Sequence, residues 1–171
     1  FKGIELEGKT LGLVGCGRIG KIVARFALAF DMKVLAHDPY PDKSFAPGAG
    51  FRYGSLDEVL AAADIISLHC PPSKDDPVVN AAAIAKMKKG AHIINTARAS
   101  LIDEAAVLAA LDDGRIAGVT LDAFEKEPPD DWQLVKHPRV VATPHIGGFT
   151  DESVDRAVDV AVDNLIEALK A

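Results

Sequence analysis

The stretch Thr10-Leu11-Gly12-Leu13-Val14-Gly15-Cys16-Gly17-Arg18-Ile19-Gly20 decides the fold. Its apolar start reads as a buried strand, the G-x-G-x-x-G reads as a turn, and a helical pattern follows at once. In that setting the first glycine serves the tight turn, the second lets a pyrophosphate approach the backbone, and the third lets the helix lie close to the strand. The helix N-terminus then offers free N–H groups and a positive dipole end to the phosphates. Downstream, Ile19, Ile22, Val23, Phe26 and Phe30 recur at helical spacing and are expected to face a sheet. The next strand, Lys33-Val34-Leu35-Ala36, leads into His37-Asp38. Asp38 stands 18 residues after Gly20, close to where a dinucleotide fold places the carboxylate that binds the adenosine ribose diol. A carboxylate there repels a 2′-phosphate, so NAD is the expected cofactor over NADP, with the nearby basic Lys43 as a feature on the other side.

At 171 residues the chain is long enough for one domain with a proper core. An apolar share of 49% and a charged share of 26% are those of an ordinary water-soluble chain. A net charge of −6 without a basic block speaks against nucleic acid as a partner. No apolar run reaches membrane-spanning length, so no membrane partner is expected. The start at Phe1 rather than Met points to a fragment of a larger protein, with residues 1–171 as its single cofactor domain. Cys16 and Cys70 form no metal or disulfide pattern and fit a reducing, cytoplasmic setting as small buried thiols.

Strand and helix patterns alternate along the chain, which predicts a Rossmann-type α/β fold: a doubly wound parallel sheet with helices on both faces. Ser55-Leu56-Asp57-Glu58 reads as a capping box opening a helix, and Asp64 to His69 as a buried strand ending at Cys70-Pro71-Pro72. Asn80 caps the helix carrying Ile84 and Met87, and His92-Ile93-Ile94-Asn95 is the next strand. Asp103 caps a helix with Val107, Leu108 and Leu111. Ile116–Leu121 and Val140–Thr143 supply two further strands, and a helix from Thr150 to about Lys170 carries a broad apolar face. Residues 126–138 form a long irregular stretch in which Trp132 is expected to cover core or an oligomer contact.

Ligands of such sheets bind outside the carboxyl ends of the strands. Three loops supply polar residues there: Asn95-Thr96-Ala97-Arg98, the Asp122–Pro128 segment, and Thr143-Pro144-His145-Ile146-Gly147-Gly148. Arg98 can clamp a substrate carboxylate in a two-point fork and polarise the neighbouring carbonyl. His145 can exchange a proton with a hydroxyl, and Glu127 can fix its tautomer and favour the imidazolium. Singly these residues read as a surface ion pair, a structural histidine and a solvated loop acid. Their coincidence on one rim with a cofactor fingerprint is what points to hydride transfer coupled to proton transfer. His37, His69, His92 and His137 have no matched partner in the sequence and are assigned no chemistry.

In these motifs the chain resembles the D-isomer-specific 2-hydroxyacid dehydrogenases, over essentially its whole length. The likeness runs through Phe1–Thr10, Gly15–Gly20, Asn95–Arg98, Gly118–Pro128 and Thr143–Gly148. It implies a substrate-binding Arg98 and a proton-transfer pair of Glu127 and His145. It further implies that Arg18 and Ile19 meet the pyrophosphate and Asp38 the ribose, that Cys70 and Pro71 border the adenine side, and that Thr96 and Asp122 hold the nicotinamide end with Gly147 and Gly148. The implied substrate is a small 2-hydroxy or 2-keto acid, the implied assembly a homodimer through this domain. The resemblance also implies a flanking substrate domain outside these residues, so the chain alone is expected to turn over negligibly. Two departures stand out. Ala99 replaces the family's usual glycine after the arginine, which matters if that site needs positive φ. Lys74-Asp75-Asp76-Pro77-Val78-Val79 replaces a Thr-rich stretch. The main rival is an NAD-sensing, corepressor-like binding protein of the same family, which keeps the same trio. A formate- or homocysteine-linked dinucleotide enzyme is weaker, because formate chemistry has no alcohol proton to move.

Overall fold

The computed structural model describes residues 3–72 and 76–170, so Phe1, Lys2 and the Lys74-Asp75 part of the departing loop lie outside the described residues. Seven strands form one sheet: β1 (Thr10–Val14), β2 (Lys33–His37), β3 (Phe51–Tyr53), β4 (Ile65–Leu68), β5 (Ala91–Asn95), β6 (Ile116–Leu121) and β7 (Val140–Ala142). Their order is β3-β2-β1-β4-β5-β6-β7, and every neighbouring pair is parallel. The order reverses between β1 and β4, which opens a crevice at their carboxyl ends. β4 is buried at every residue, as expected of a central parallel strand covered on both faces.

The helices are α1 (Arg18–Ala29), α2 (Leu56–Ala62), α3 (Ala81–Lys86), α4 (Glu104–Asp112) and α5 (Asp151–Lys170). Side chains start three of them as the sequence predicts. Ser55 and Glu58 form the capping box of α2, Asn80 Oδ1 accepts from Ala83 N at 2.9 Å, and Asp103 Oδ1 accepts from Ala106 N at 3.0 Å. Both faces carry helices, but unequally. One core, containing Val59, Leu60, Ile66, Leu68, Ile93 and Leu121, lies under α2, α3 and α4. On the other face α1 alone covers Leu11, Leu13, Val34 and Ala36. Among the described residues no helix continues that second layer beyond β4. Val141, in register with Thr120 and through it with Ile94, is 62% exposed there. The apolar face of α5 has no buried residue.

The reading of α1 needs correction. Its sheet-facing residues are Gly20, Ala24 and Ala27, whereas Ile19, Ile22, Phe26 and Phe30 are 65%, 48%, 63% and 61% exposed. The cause is close approach. A Cβ on Gly20 would stand 2.4 Å from the Gly15 carbonyl oxygen, so the helix rests almost backbone to backbone on the turn. Directly over the turn only small residues fit; Val23 packs against the core as expected, together with Leu28, while Ile19, Ile22, Phe26 and Phe30 turn outward. Gly15 itself holds φ +93°, and a Cβ there would come within 2.6 Å of the Cys70 amide nitrogen. Left-handed conformation and backbone collision both oppose a side chain at this position. Gly15→Ala is expected to cost at least about 2 kcal/mol of unfolding free energy, read by urea denaturation; an unchanged midpoint contradicts this account of the turn.

Candidate active site

The glycine turn is held from behind by the chain itself. Gly15 N donates to His37 O at 2.8 Å, and Cys16 N donates to Asp38 Oδ2 at 2.8 Å. The other carboxylate oxygen of Asp38 accepts from Tyr40 N at 2.8 Å. Unlike α2, α3 and α4, α1 has no side-chain cap: Gly17 occupies that position, and no acidic residue lies in the first turn. The first-turn N–H groups are therefore free to meet an anion. A Cβ on Gly17 would meet nothing within 4 Å, so this face of the turn is open to a ligand, while Gly15 and Gly20 close the opposite side. A dinucleotide pyrophosphate fits that combination. Beside it lies a cavity of about 280 Å³ that brings together Ile19, His69, Cys70, Pro71, Thr96 and Arg98. Both thiols are free, with Cys16 buried and Cys70 half-buried. Burial pushes the pKa of both upward, which suits inert thiols.

The three polar loops follow β5, β6 and β7, adjacent strands of the sheet. Glu127 and His145 meet: Nδ1 of the imidazole lies 2.8 Å from Oε1 and 2.9 Å from Oε2. A carboxylate only accepts, so Nδ1 carries the proton and Nε2 is left for other work. Hydrogen bonds from the His145 ring and from Phe124 N hold the Glu127 carboxyl below the usual range. Arg98 does not join this pair directly; its guanidinium donates to the Ala97 carbonyl at 2.6 Å, and the residue borders the cavity beside the glycine turn. Asp122 is buried and accepts from Thr143 Oγ1 at 2.5 Å, Ile146 N at 2.9 Å and Gly147 N at 2.8 Å. Burial raises its pKa, but these donors outweigh burial and leave the carboxyl below its ordinary value. Gly148 has open space around it.

Residues 1–147 match the family described as D-isomer specific 2-hydroxyacid dehydrogenase, NAD binding domain. The chain belongs to that family. It is 49% identical over 154 residues to D-3-phosphoglycerate dehydrogenase of Bacillus subtilis, covering 90% of this chain and 29% of that protein. The enzyme of the same name from Methanocaldococcus jannaschii is 42% identical over 172 residues, covering 99% and 33%. The NAD-complexed D-isomer specific 2-hydroxyacid dehydrogenase of Lactobacillus delbrueckii ssp. bulgaricus superposes with a TM-score of 0.90 at 34% identity, over 99% of this chain and 56% of that one. D-lactate dehydrogenase from Aquifex aeolicus, complexed with NAD and lactic acid, gives 0.91 at 35% identity, over 99% and 56%. The chain thus spans about a third of the length of the curated relatives it matches.

Several family expectations take a different form here. Ala99 opens a 3-10 turn, Ala99–Leu101, and is not among the residues with positive φ, so the missing glycine brings no backbone strain to Arg98. Three of the four histidines set aside have partners: His37 Nδ1 with Gly54 O, His69 Nε2 with Ser67 Oγ at 2.9 Å, and His137 Nε2 with Asp112 at 3.4 Å. His69 also lines the cavity beside the glycine turn, where burial lowers its pKa and so favours the neutral imidazole. Trp132 is not core: it is 43% exposed and lines an open apolar cavity of about 360 Å³ with Glu127, Pro128 and Pro144. Asn95, which the sequence offers only as part of a polar loop, is fully buried at the end of β5 and bonds to the backbone that carries Arg98. A polar residue closing an otherwise apolar strand was the available signal.

The acid behaviour of the pair follows from the Glu127 shift. A carboxyl with a depressed folded pKa stabilises its loop above the unfolded pKa, and that stabilisation is lost as pH falls through the folded value. The Glu127 carboxyl is expected to titrate below the ordinary glutamate value in a 13C NMR titration, and His145→Ala is expected to move it upward. A midpoint at or above the ordinary glutamate value contradicts the pairing.

Proposed function

We propose that this chain is the cofactor-binding part of an oxidoreductase that interconverts a D-2-hydroxy acid and its 2-keto acid. The observation that carries the reading is the Glu127–His145 contact, with both carboxylate oxygens within 2.9 Å of Nδ1. A bound NAD supplies the hydride acceptor or donor. Glu127 fixes the His145 tautomer and offsets its charge when Nε2 takes the hydroxyl proton; in reduction the same nitrogen returns it. Arg98 reaches the substrate carboxylate from the loop after β5, and its fork holds the C2 carbon in register with the cofactor. Arg18 and Ile19 face the pyrophosphate, Asp38 the ribose, Cys70 and Pro71 the adenine side, and Thr96, Asp122, Gly147 and Gly148 the nicotinamide end. The relatives' names favour 3-phosphoglycerate among the substrates of this class.

The rest of the cleft comes from a flanking substrate domain in a longer cytoplasmic protein. Support comes from the share of the relatives' length that the chain spans and from the sheet face left uncovered beyond β4. A homodimer through this domain is supported by the exposed apolar residues of α5 and by Trp132. Exposed Phe26 and Phe30 on α1 add to the apolar surface available for it. A corepressor-like role has no support in the relatives named above, which are dehydrogenases by name. No helix among the described residues is long and apolar enough to cross a membrane.

In the full-length enzyme, Arg98→Ala and His145→Ala are each expected to lower turnover of a 2-keto acid panel by at least about 100-fold. NADH affinity of Arg98→Ala, read by fluorescence, should stay within about threefold of the parent. Unimpaired turnover in either variant removes that residue's role, and substantial turnover by the isolated chain removes the need for a second domain. Sedimentation of the chain as a monomer at high micromolar concentration sinks the homodimer.

A further inference from the structure

His145 is one of two residues other than glycine, among the described residues, with positive φ, at +53°. That conformation is unfavourable for a residue with a Cβ and persists only where its surroundings over-determine it. Thr143, Ile146 and Gly147 bracket His145 in sequence, and each donates a hydrogen bond to the carboxylate of Asp122. A Cβ at Gly147 would stand 2.8 Å from Asp122 Oδ2, so the loop is drawn onto the carboxylate at close range. On the neighbouring strand Asn95 does the same for the other loop. Its Oδ1 accepts from Ala97 N at 3.1 Å, and its Nδ2 donates to Arg98 O at 2.8 Å. Asn95 and Asp122 are 0% and 3% exposed, and Asp122 N donates to Asn95 O at 3.1 Å.

We propose that Asp122 and Asn95 are a joined pair of positioning residues, Asp122 setting the backbone that aims His145 at Glu127 and Asn95 setting the backbone that carries Arg98. The proposal rests on the dehydrogenase reading for its purpose and goes beyond the expectation that Asp122 only faces the nicotinamide. Three of the four lone-pair directions of the carboxylate are taken by the loop, and one, on Oδ2, is left for a ligand donor.

The test reads the His145 Nδ1 proton of the 171-residue chain by NMR at low temperature, where a carboxylate-bound imidazole proton lies far downfield. Asp122→Asn places an amide donor against backbone donors, and the downfield signal is expected to disappear although neither His145 nor Glu127 is altered. Thr143→Val removes one donor and is expected to broaden or shift the signal, while Thr143→Ser keeps the hydroxyl and restores it. In Asn95→Ala, amide exchange at Ala97 should quicken by about tenfold or more. A retained signal in both Asp122→Asn and Thr143→Val overturns the Asp122 role, and unchanged exchange at Ala97 overturns that of Asn95. If Asp122→Asn does not fold, the Thr143 pair decides alone. Failure of the dehydrogenase reading shows separately, as absence of NADH binding by fluorescence with these signals intact.

Discussion

The structure is organised around the contact between the start of α1 and the end of β1. Gly20 rests on the carbonyl of Gly15, and Gly15 rests in turn on the backbone at His69 and Cys70. Three chain segments therefore meet with no side chain between them. The meeting point lies between β1 and β4, where the sheet order reverses, and the uncapped helix N-terminus opens onto it. Each local choice in the sequence agrees with that geometry: glycine where backbone meets backbone, alanine along the helix underside, and no acid in the first turn.

A second layer of organisation sits at the ends of β5 and β6. Asn95 and Asp122 are buried there; Asn95 bonds to backbone of the loop after β5, and Asp122 accepts from the Thr143 hydroxyl and from the Ile146 and Gly147 amides of the loop after β7. Burying such groups is costly unless every partner is found, and fully satisfied networks of this kind make their surroundings rigid. The loops they hold are surface segments, which ordinarily carry mobility. Anchoring on the sheet gives those loops the precision of a strand while leaving their outer atoms exposed to ligand.

Much of the fold was legible because its signals were local. The three side-chain caps, the buried strands and the glycine turn are each determined by residues within a few positions of one another. The outward turn of Ile22, Phe26 and Phe30 was not legible, because periodicity reports that a helix has an apolar stripe and not which side a neighbour can approach. The decisive fact was the small size of Gly20, Ala24 and Ala27, which permits a closer approach than bulky residues do. For the same reason the pairing of Glu127 with His145 could be expected from chemistry, while the orientation of Arg98 toward its own backbone could not. Asn95 is legible in the sequence as the first residue of a polar loop, but its burial is not, because a single amide at a strand end looks like the start of that loop.

Asp38 shows how tightly ligand choice and architecture are bound together. Its carboxylate is shared between the Cys16 and Tyr40 amides before any nucleotide arrives. If Asp38 has the proposed ribose role, exchanging it for a neutral residue to welcome a 2′-phosphate also strips the glycine turn of its support from the residue that follows β2. Engineers who wish to convert such a domain to the phosphorylated coenzyme must therefore rebuild that brace, and altering the recognition contact alone leaves the turn unsupported.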